Sequence, residues 1–360
     1  MQDFACACDV GTAIFRLMVP VLEAVPNFST GTDRTLIERL VRAVQEAGAE
    51  VLDWSADADH NRAVLTFIGS PDEVEEGAVA AAALAAESID LRGHRGSHPR
   101  IGALDVLPFI PLSGLSIEDA RASAHRVGRR LAEEVGVPIY FYGEASEPRG
   151  RGLAELRAGG VEALLSGFPP GREPDLLPSG WQHPGAHPTA GATCVGARPL
   201  LLAWNLEIEG LGRSQLDDLA RAVRERGGGV PGLRALALVL GGEPRMQLSM
   251  NLEDVGRRDP FRVFRYLEDQ VQALGGTIRG TEVIGMIPDS LLLDAGADRI
   301  RLLEADPGRI LTARLQRHID GRVRRELVQL MRCLEDAGEQ VPTGIREAVG
   351  RLAIALDISN

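Results

Sequence analysis

The chain has 360 residues, 44% of them hydrophobic, and a formal net charge of −12 at pH 7. That length exceeds the usual single domain and supplies apolar material for two packed cores. The acidic balance speaks against nucleic acid as the main partner, because phosphate binding needs a basic surface that this chain offers only locally. All of the positive charge is arginine; with no lysine, Schiff-base chemistry and a P-loop lysine are excluded. Cys6, Cys8, Cys194 and Cys333 show no C-x-x-C spacing and no metal framework, which fits a reducing cytoplasm. No apolar run reaches the eighteen or so residues that span a bilayer, and residues 1–17 lack the basic start and small-residue cleavage site of a signal peptide. A soluble cytoplasmic protein without membrane association is expected, with residues 1–17 as a disordered leader or a misassigned start.

In chain order, residues 19–25 are apolar and extended, and Leu36, Leu40, Val41 and Val44 recur at helical spacing before Gly48. Residues 50–54 and 63–68 read as strands around a polar turn at 57–61. Ser70, Pro71 and Glu73 supply an N-cap, a first-turn proline and a capping-box carboxylate, opening an alanine-rich helix to about Ile89. A strand at 103–110 completes the unit. Ser116 and Asp119 form a second capping box for a helix to about Val135, followed by a strand at 137–142. Residues 166–193, crowded with Pro and Gly, form a loop long enough to be functional or disordered. The second half repeats the order: strand 199–208, helix 214–225, strands 233–240 and 246–252, helix 260–274 and strand 281–287. Two consecutive β-α-β-β-α-β units predict an α/β (α+β) fold of two ferredoxin-like lobes, with helices outside and sheets facing a central groove. From Gly321 onward, Val323, Leu327, Leu330 and Leu334 predict an amphipathic tail helix.

The densest chemistry lies at residues 90–105, where His94, His98, Arg92, Arg95 and Arg100 crowd into an otherwise acidic protein. Gly93 and Gly96 prevent a stable helix, and Pro99 disfavours the helical conformation at His98, so the cluster is a loop feeding a buried strand. Histidine both takes and gives a proton near neutral pH, and arginine fixes carboxylates. The alternative is a solvated basic turn with a structural histidine.

Four segments set that alternative aside. Val-Pro-Asn-Phe-Ser-Thr-Gly at 25–31, Asp-His-Asn-Arg-Ala-Val-Leu-Thr-Phe-Ile-Gly at 59–69, the stretch 96–111 beginning Gly96-Ser97-His98-Pro99-Arg100, and Ile-Tyr-Phe-Tyr-Gly-Glu-Ala at 139–145 follow in this order. Together they resemble the formiminotransferase family, over residues 19 to 303. The resemblance implies an N-terminal subdomain at 18–197, a C-terminal subdomain at 198–325 and a helical tail at 326–360. It also implies transfer of the formimino group of N-formimino-L-glutamate to N5 of tetrahydrofolate, with release of glutamate. Tetrahydrofolate is the co-substrate, no metal is required, and a homodimer paired through the first lobe is the implied assembly. The tail after Leu330 lacks the Pro-Gly-Gly-Gly-type segment that opens the cyclodeaminase of animal relatives, so a stand-alone transferase is expected.

By the same resemblance His98 is the acid/base residue, deprotonating the attacking nitrogen and protonating the leaving one, which suits an imidazole titrating near its ordinary value of about 6.5. Asn27, Asn61 and Arg62 lie near the groove: Asn27 as a hydrogen-bonding amide or the head of an Asx-turn, Arg62 as a carboxylate clamp or a surface partner of Asp57 or Asp59. Arg100 joins them as a candidate clamp. The segment that lies on the folate in similar enzymes falls on Gln182, His183, Pro184, Gly185, Ala186, His187, Pro188, Thr189, Ala190 and Gly191, beside Trp181, which either stacks on a ring or anchors the loop. Arg224 is a candidate for the folate tail. His94 is a second proton carrier or a metal ligand, though without a helix its four-residue spacing from His98 has no ligand geometry. Two departures from the family pattern, Ser55 and Ser97, leave open a formyl or other amidine donor, or a non-catalytic folate-binding protein of the same fold.

Overall fold

Pro26 interrupts the first strand. The two pieces, β1 (Val21–Ala24) and β2 (Asn27–Phe28), occupy one position in the sheet, because Pro cannot donate to a ladder. Helix α1 (Arg34–Glu46), the hairpin strands β3 (Glu50–Asp57) and β4 (Arg62–Gly69), helix α2 (Pro71–Ser88) and strand β5 (Leu104–Ser113) complete the first unit. The computed structural model describes residues 20–96, 98–240, 245–253, 255, 258–287, 291, 311–336, 342, 344–347 and 349; the expected leader at 1–17 and Ser97 lie outside them. The predicted capping box is present, with the Glu73 carboxylate accepting from the Ser70 N–H at 2.8 Å and the Ser70 hydroxyl accepting from the Glu73 N–H at 3.4 Å. β1 pairs antiparallel with both β4 and β5, and β3 with β4, which is the β5–β1–β4–β3 order of a ferredoxin-like unit.

Beyond that unit come α3 (Ile117–Arg130), prolonged by one π-helical turn, β6 (Ile139–Gly143), the short helix α4 (Leu153–Leu156) and β7 (Thr193–Ala197). β7 inserts between β5 and β6, parallel to both, giving seven strands. The sequence predicts the long loop ending at Thr193 and no strand over 194–197, and helices on one face only. Both points are corrected by the same physics. Parallel strands are apolar on both faces: Ile139, Phe141 and Val195 join the core with α1, α2 and α3, while Tyr140, Tyr142 and Cys194 point the other way and pack with Leu156, Leu164 and Ala186. The excursion from 144 to 192 is therefore a second cover for this end of the sheet.

The second lobe follows the prediction closely. Strand β8 (Leu201–Glu209), helix α5 (Arg213–Val223), β9 (Leu233–Leu240), β10 (Arg245–Glu253), helix α6 (Pro260–Ala273) and β11 (Thr277–Ile284) form an antiparallel sheet in the order β11–β8–β10–β9. The last strand starts at Thr277, four residues before its predicted start, directly after the Gly275-Gly276 turn. One face is a core built around Trp204, Phe264 and Leu248. The other alternates Ala203, Asn205 and Glu207 of β8 with Gln247, Ser249, Asn251 and Glu253 of β10, a polar face free of core residues. At the junction of the lobes, Glu23 and Tyr142 of the first sheet and Glu253 of the second surround Arg198; burial pushes the Glu23 carboxyl up to about 7, against the pull of Arg198.

Helix α7 (Leu311–Asp336) belongs to a separate compact unit from residue 310 onward. It starts ten residues before the predicted Gly321 and runs across the boundary expected between 325 and 326. No helix among the described residues is long and apolar enough to cross a membrane.

Candidate active site

On the face of the first sheet away from α1 and α2, polar residues project from strands that are otherwise apolar. Arg62 opens β4 and Asn27 opens β2, and the Asn27 carbonyl oxygen of the side chain accepts from Arg62 Nε at 3.1 Å and Nη2 at 2.8 Å. Asn27 in turn donates to the Val25 backbone carbonyl at 2.7 Å. Arg62 Nη1 donates to Asp105 Oδ2 at 2.7 Å, and Arg157 Nη2 reaches the same oxygen at 2.5 Å. Asp105 is fully buried and its other oxygen accepts from the Ile101 N–H at 2.8 Å. Burial alone would raise this carboxyl, but Arg157, Arg62 and the hydrogen bonds reverse the effect and hold it below the ordinary aspartate range. Arg62 is therefore no surface partner of Asp57 or Asp59; its ion pair is internal.

Two guanidiniums on one carboxylate leave an excess positive charge, and His98 stands beside it. The ring Nδ1 lies 2.7 Å from the Pro99 carbonyl, which can only accept, so in the neutral ring Nδ1 carries the proton and Nε2 the lone pair. Burial, then repulsion from Arg62 and Arg157, outweighs the attraction of Asp105 and pushes the imidazole down to about 4. This departs from the value near 6.5 expected from sequence, because no local feature reveals a cation brought in from residue 157. An NMR titration of the His98 ring in the ligand-free protein is expected to show a midpoint well below 6; a midpoint at or above 6.5 would mean that the two arginines do not act on it.

The loops around this cluster are held by Asn61, which has a positive φ of 47° in the turn before β4. Its side chain accepts from the Gly31 N–H at 2.8 Å and donates to the Arg95 carbonyl at 2.9 Å. Both amide groups are thus engaged in joining loops. His94, 7% exposed, places Nε2 at 2.9 Å from the Asn61 carbonyl. Arg100 donates to Glu162 at 3.2 Å and to the His94 carbonyl at 3.4 Å. The His60 ring packs edge-on to His98, with centroids 5.9 Å apart.

The long loop is ordered and is pinned to the histidine loop. Ala190 accepts from the Ala103 N–H at 2.8 Å and Thr189 from the Leu91 N–H at 2.9 Å, and Gly191 bridges Gly102. Gly191 has φ +73°, and a Cβ there would stand 2.1 Å from the Ile101 carbonyl oxygen, so only glycine fits. Gly185, Ala186, Ala190 and Gly191 are buried, whereas Gln182, His183, Pro184 and Pro188 are exposed. The Trp181 indole donates to the Gly185 carbonyl at 3.2 Å and its ring lies 4.9 Å from that of His183. His187 Nδ1 accepts from the Ala190 N–H at 3.0 Å, shaping the turn through Thr189. Of the residues picked from sequence, the structure gathers Asn27, Asn61, Arg62, His98 and Arg100 around one cluster and ties residues 182–191 to its edge. Arg224 is not joined to it: it follows the last residue of α5, in the helix layer of the second lobe, its backbone bridged to Val230. Asp105 and Arg157 were missed. A charged residue inside the apolar run of β5 was a usable signal for Asp105; nothing near Arg157 in sequence marks it. Ser55 pairs with Val64, so the departure noted there lies on the same face as Arg62.

Comparison with known proteins agrees with this architecture. The formiminotransferase domain, N-terminal subdomain, matches residues 21–198, and the formiminotransferase domain matches residues 203–303. The break between the two matches, residues 199–202, runs from after β7 into the start of β8. A glutamate formimidoyltransferase of Streptococcus pyogenes serotype M1 is 32% identical over 291 residues, covering 80% of this chain and 96% of that protein. One from Thermoplasma acidophilum is 32% identical over 302 residues, covering 82% and 98%. The formimidoyltransferase-cyclodeaminase of Gallus gallus is 40% identical over 287 residues, covering 77% of this chain; the chain spans 52% of the length of that relative. Fold and matches define a two-lobed α+β protein of the transferase class, and the chain belongs to the formiminotransferase family.

Proposed function

We propose that this chain transfers the formimino group of N-formimino-L-glutamate to N5 of tetrahydrofolate, giving 5-formiminotetrahydrofolate and L-glutamate, with His98 as general acid/base. The observation that carries the reading is a neutral imidazole, its Nδ1–H held by the Pro99 carbonyl and its Nε2 lone pair left for chemistry, beside the Arg62–Asp105–Arg157 cluster. The folate nitrogen attacks the formimino carbon, and a tetrahedral adduct must lose the glutamate nitrogen. The proton removed from the first nitrogen has to reach the second, and Nε2 serves both transfers. The uncompensated guanidinium charge suits the carboxylates of the glutamate moiety, with Arg100 at the rim. A bound carboxylate would also offset the repulsion that depresses His98, so substrate binding makes the base stronger where it is needed. The exposed Gln182, His183 and Pro184, backed by the Trp181 ring, fit the planar part of a folate.

The test is an assay with formiminoglutamate and tetrahydrofolate, following glutamate release. Turnover supports the reading. Turnover with a formyl donor alone would reassign the donor, and folate binding by calorimetry without turnover of any donor would make the chain a folate-binding protein of this fold. We assign the same family assembly, an isologous homodimer in the cytoplasm, with no nucleic-acid partner. Light scattering of the intact chain should give twice the mass of one chain; a single-chain mass at every accessible concentration would refute the dimer.

A further inference from the structure

We infer that His94 is a positioning residue: it bolts the loop carrying His98 onto the turn before β4 and so fixes the direction of the His98 ring. The inference rests on the catalytic reading of His98 given above. His94 is buried, and its Nε2 lies 2.9 Å from the backbone carbonyl of Asn61, an acceptor only, so Nε2 carries the proton of the neutral ring. The backbone carbonyl of His94 accepts from Arg95 Nη1 at 3.1 Å and from Arg100 Nη2 at 3.4 Å. One residue therefore grips the turn with its side chain and two loop arginines with its main chain.

The contact runs in both directions. Asn61 returns a hydrogen bond from its side chain to the Arg95 carbonyl at 2.9 Å, and its other amide atom holds Gly31, so three loops meet at one left-handed asparagine. Between His94 and His98 the chain passes so close to the turn that a Cβ on Gly96 would stand 2.3 Å from the His60 carbonyl oxygen. The His60 ring then meets the His98 ring edge-on. The His94 imidazole is held below its ordinary value by burial, though the Asn61 hydrogen bond opposes this, so it stays a neutral donor where a proton carrier would have to ionise.

Two variants separate this role from catalysis. His94→Gln keeps an N–H near the Nε2 position; His94→Phe fills the space without a donor. His94→Phe is expected to shift the His98 NMR titration upward by at least about one pH unit and to lower kcat by about tenfold or more, with the KM for tetrahydrofolate within about twofold, since a misplaced group costs rate more than binding. His94→Gln should restore both readouts. Should His94→Phe fail to fold, Gly96→Ala, which pushes the loop off the turn while leaving His94 in place, must shift the His98 titration in the same direction. An unchanged His98 titration in whichever of these two variants folds overturns the inference, as does a His94→Gln enzyme no better than His94→Phe. The NMR readout needs no substrate, so an inactive wild type would sink the transfer reading while leaving the positioning role to be decided.

Discussion

Replacing His98 with alanine is expected to lower turnover with formiminoglutamate and tetrahydrofolate by about 10²- to 10⁴-fold while leaving folate affinity nearly unchanged. A general acid/base group acts in the transition state, so its loss reaches kcat and spares ground-state binding. A His98→Ala enzyme retaining more than about a tenth of wild-type turnover would sink the assignment, and the cluster of Arg62, Arg100 and Arg157 would then be read as a substrate clamp. The pH dependence has a definite sign. Only the neutral ring is a base, and in the free enzyme it is neutral down to about 4, so the acid limb of kcat/KM that belongs to His98 lies below the ordinary histidine value. The limb of kcat is expected at higher pH, because a carboxylate bound beside Arg62 and Arg157 restores some basicity.

Asp105→Ala is expected to be the most damaging substitution to stability at the site, costing about 3–5 kcal/mol, since it strands two guanidiniums, each no more than 13% exposed, without their shared carboxylate. Denaturant unfolding of wild type and variant reads this directly; a loss below about 1 kcal/mol would mean that the pair is screened as surface pairs are. Because the folded carboxyl lies below its unfolded value, its stabilisation is complete above the ordinary aspartate value of about 3.9 and is lost only as pH falls through the folded one. In the same variant the His98 ring should become harder still to protonate, since the Asp105 charge favours its cation. A rise in the His98 midpoint would contradict this electrostatic account.

The second lobe was legible almost element by element because its signals are local. Period-2 burial in β8 and helical spacing in α5 and α6 each act within a dozen residues; in the first lobe, likewise, the Ser70 and Ser116 caps form with partners three residues away. His98 was picked out for a related reason: glycine and proline on either side mark a loop, and a loop dense in His and Arg is a candidate for chemistry. Asn61 was found, but its role was not. The type of residue shows that it can hydrogen-bond, and only the approach of the 25–31 and 91–100 loops decides that both its amide groups are spent on backbone.

What the amino-acid sequence determined by itself was the pair of ferredoxin-like units, the loop that carries His98, and membership of the formiminotransferase family. Tertiary structure alone decided the rest. β7 exists because parallel pairing with β5 and β6 satisfies a segment whose neighbours read as loop. Arg157 reaches Asp105 across 52 residues of chain, and no local pattern encodes such a pair. Periodicity, capping and turn chemistry are set by neighbours along the chain, whereas burial and charge are set by neighbours in space, and His98 takes its low pKa from the second kind.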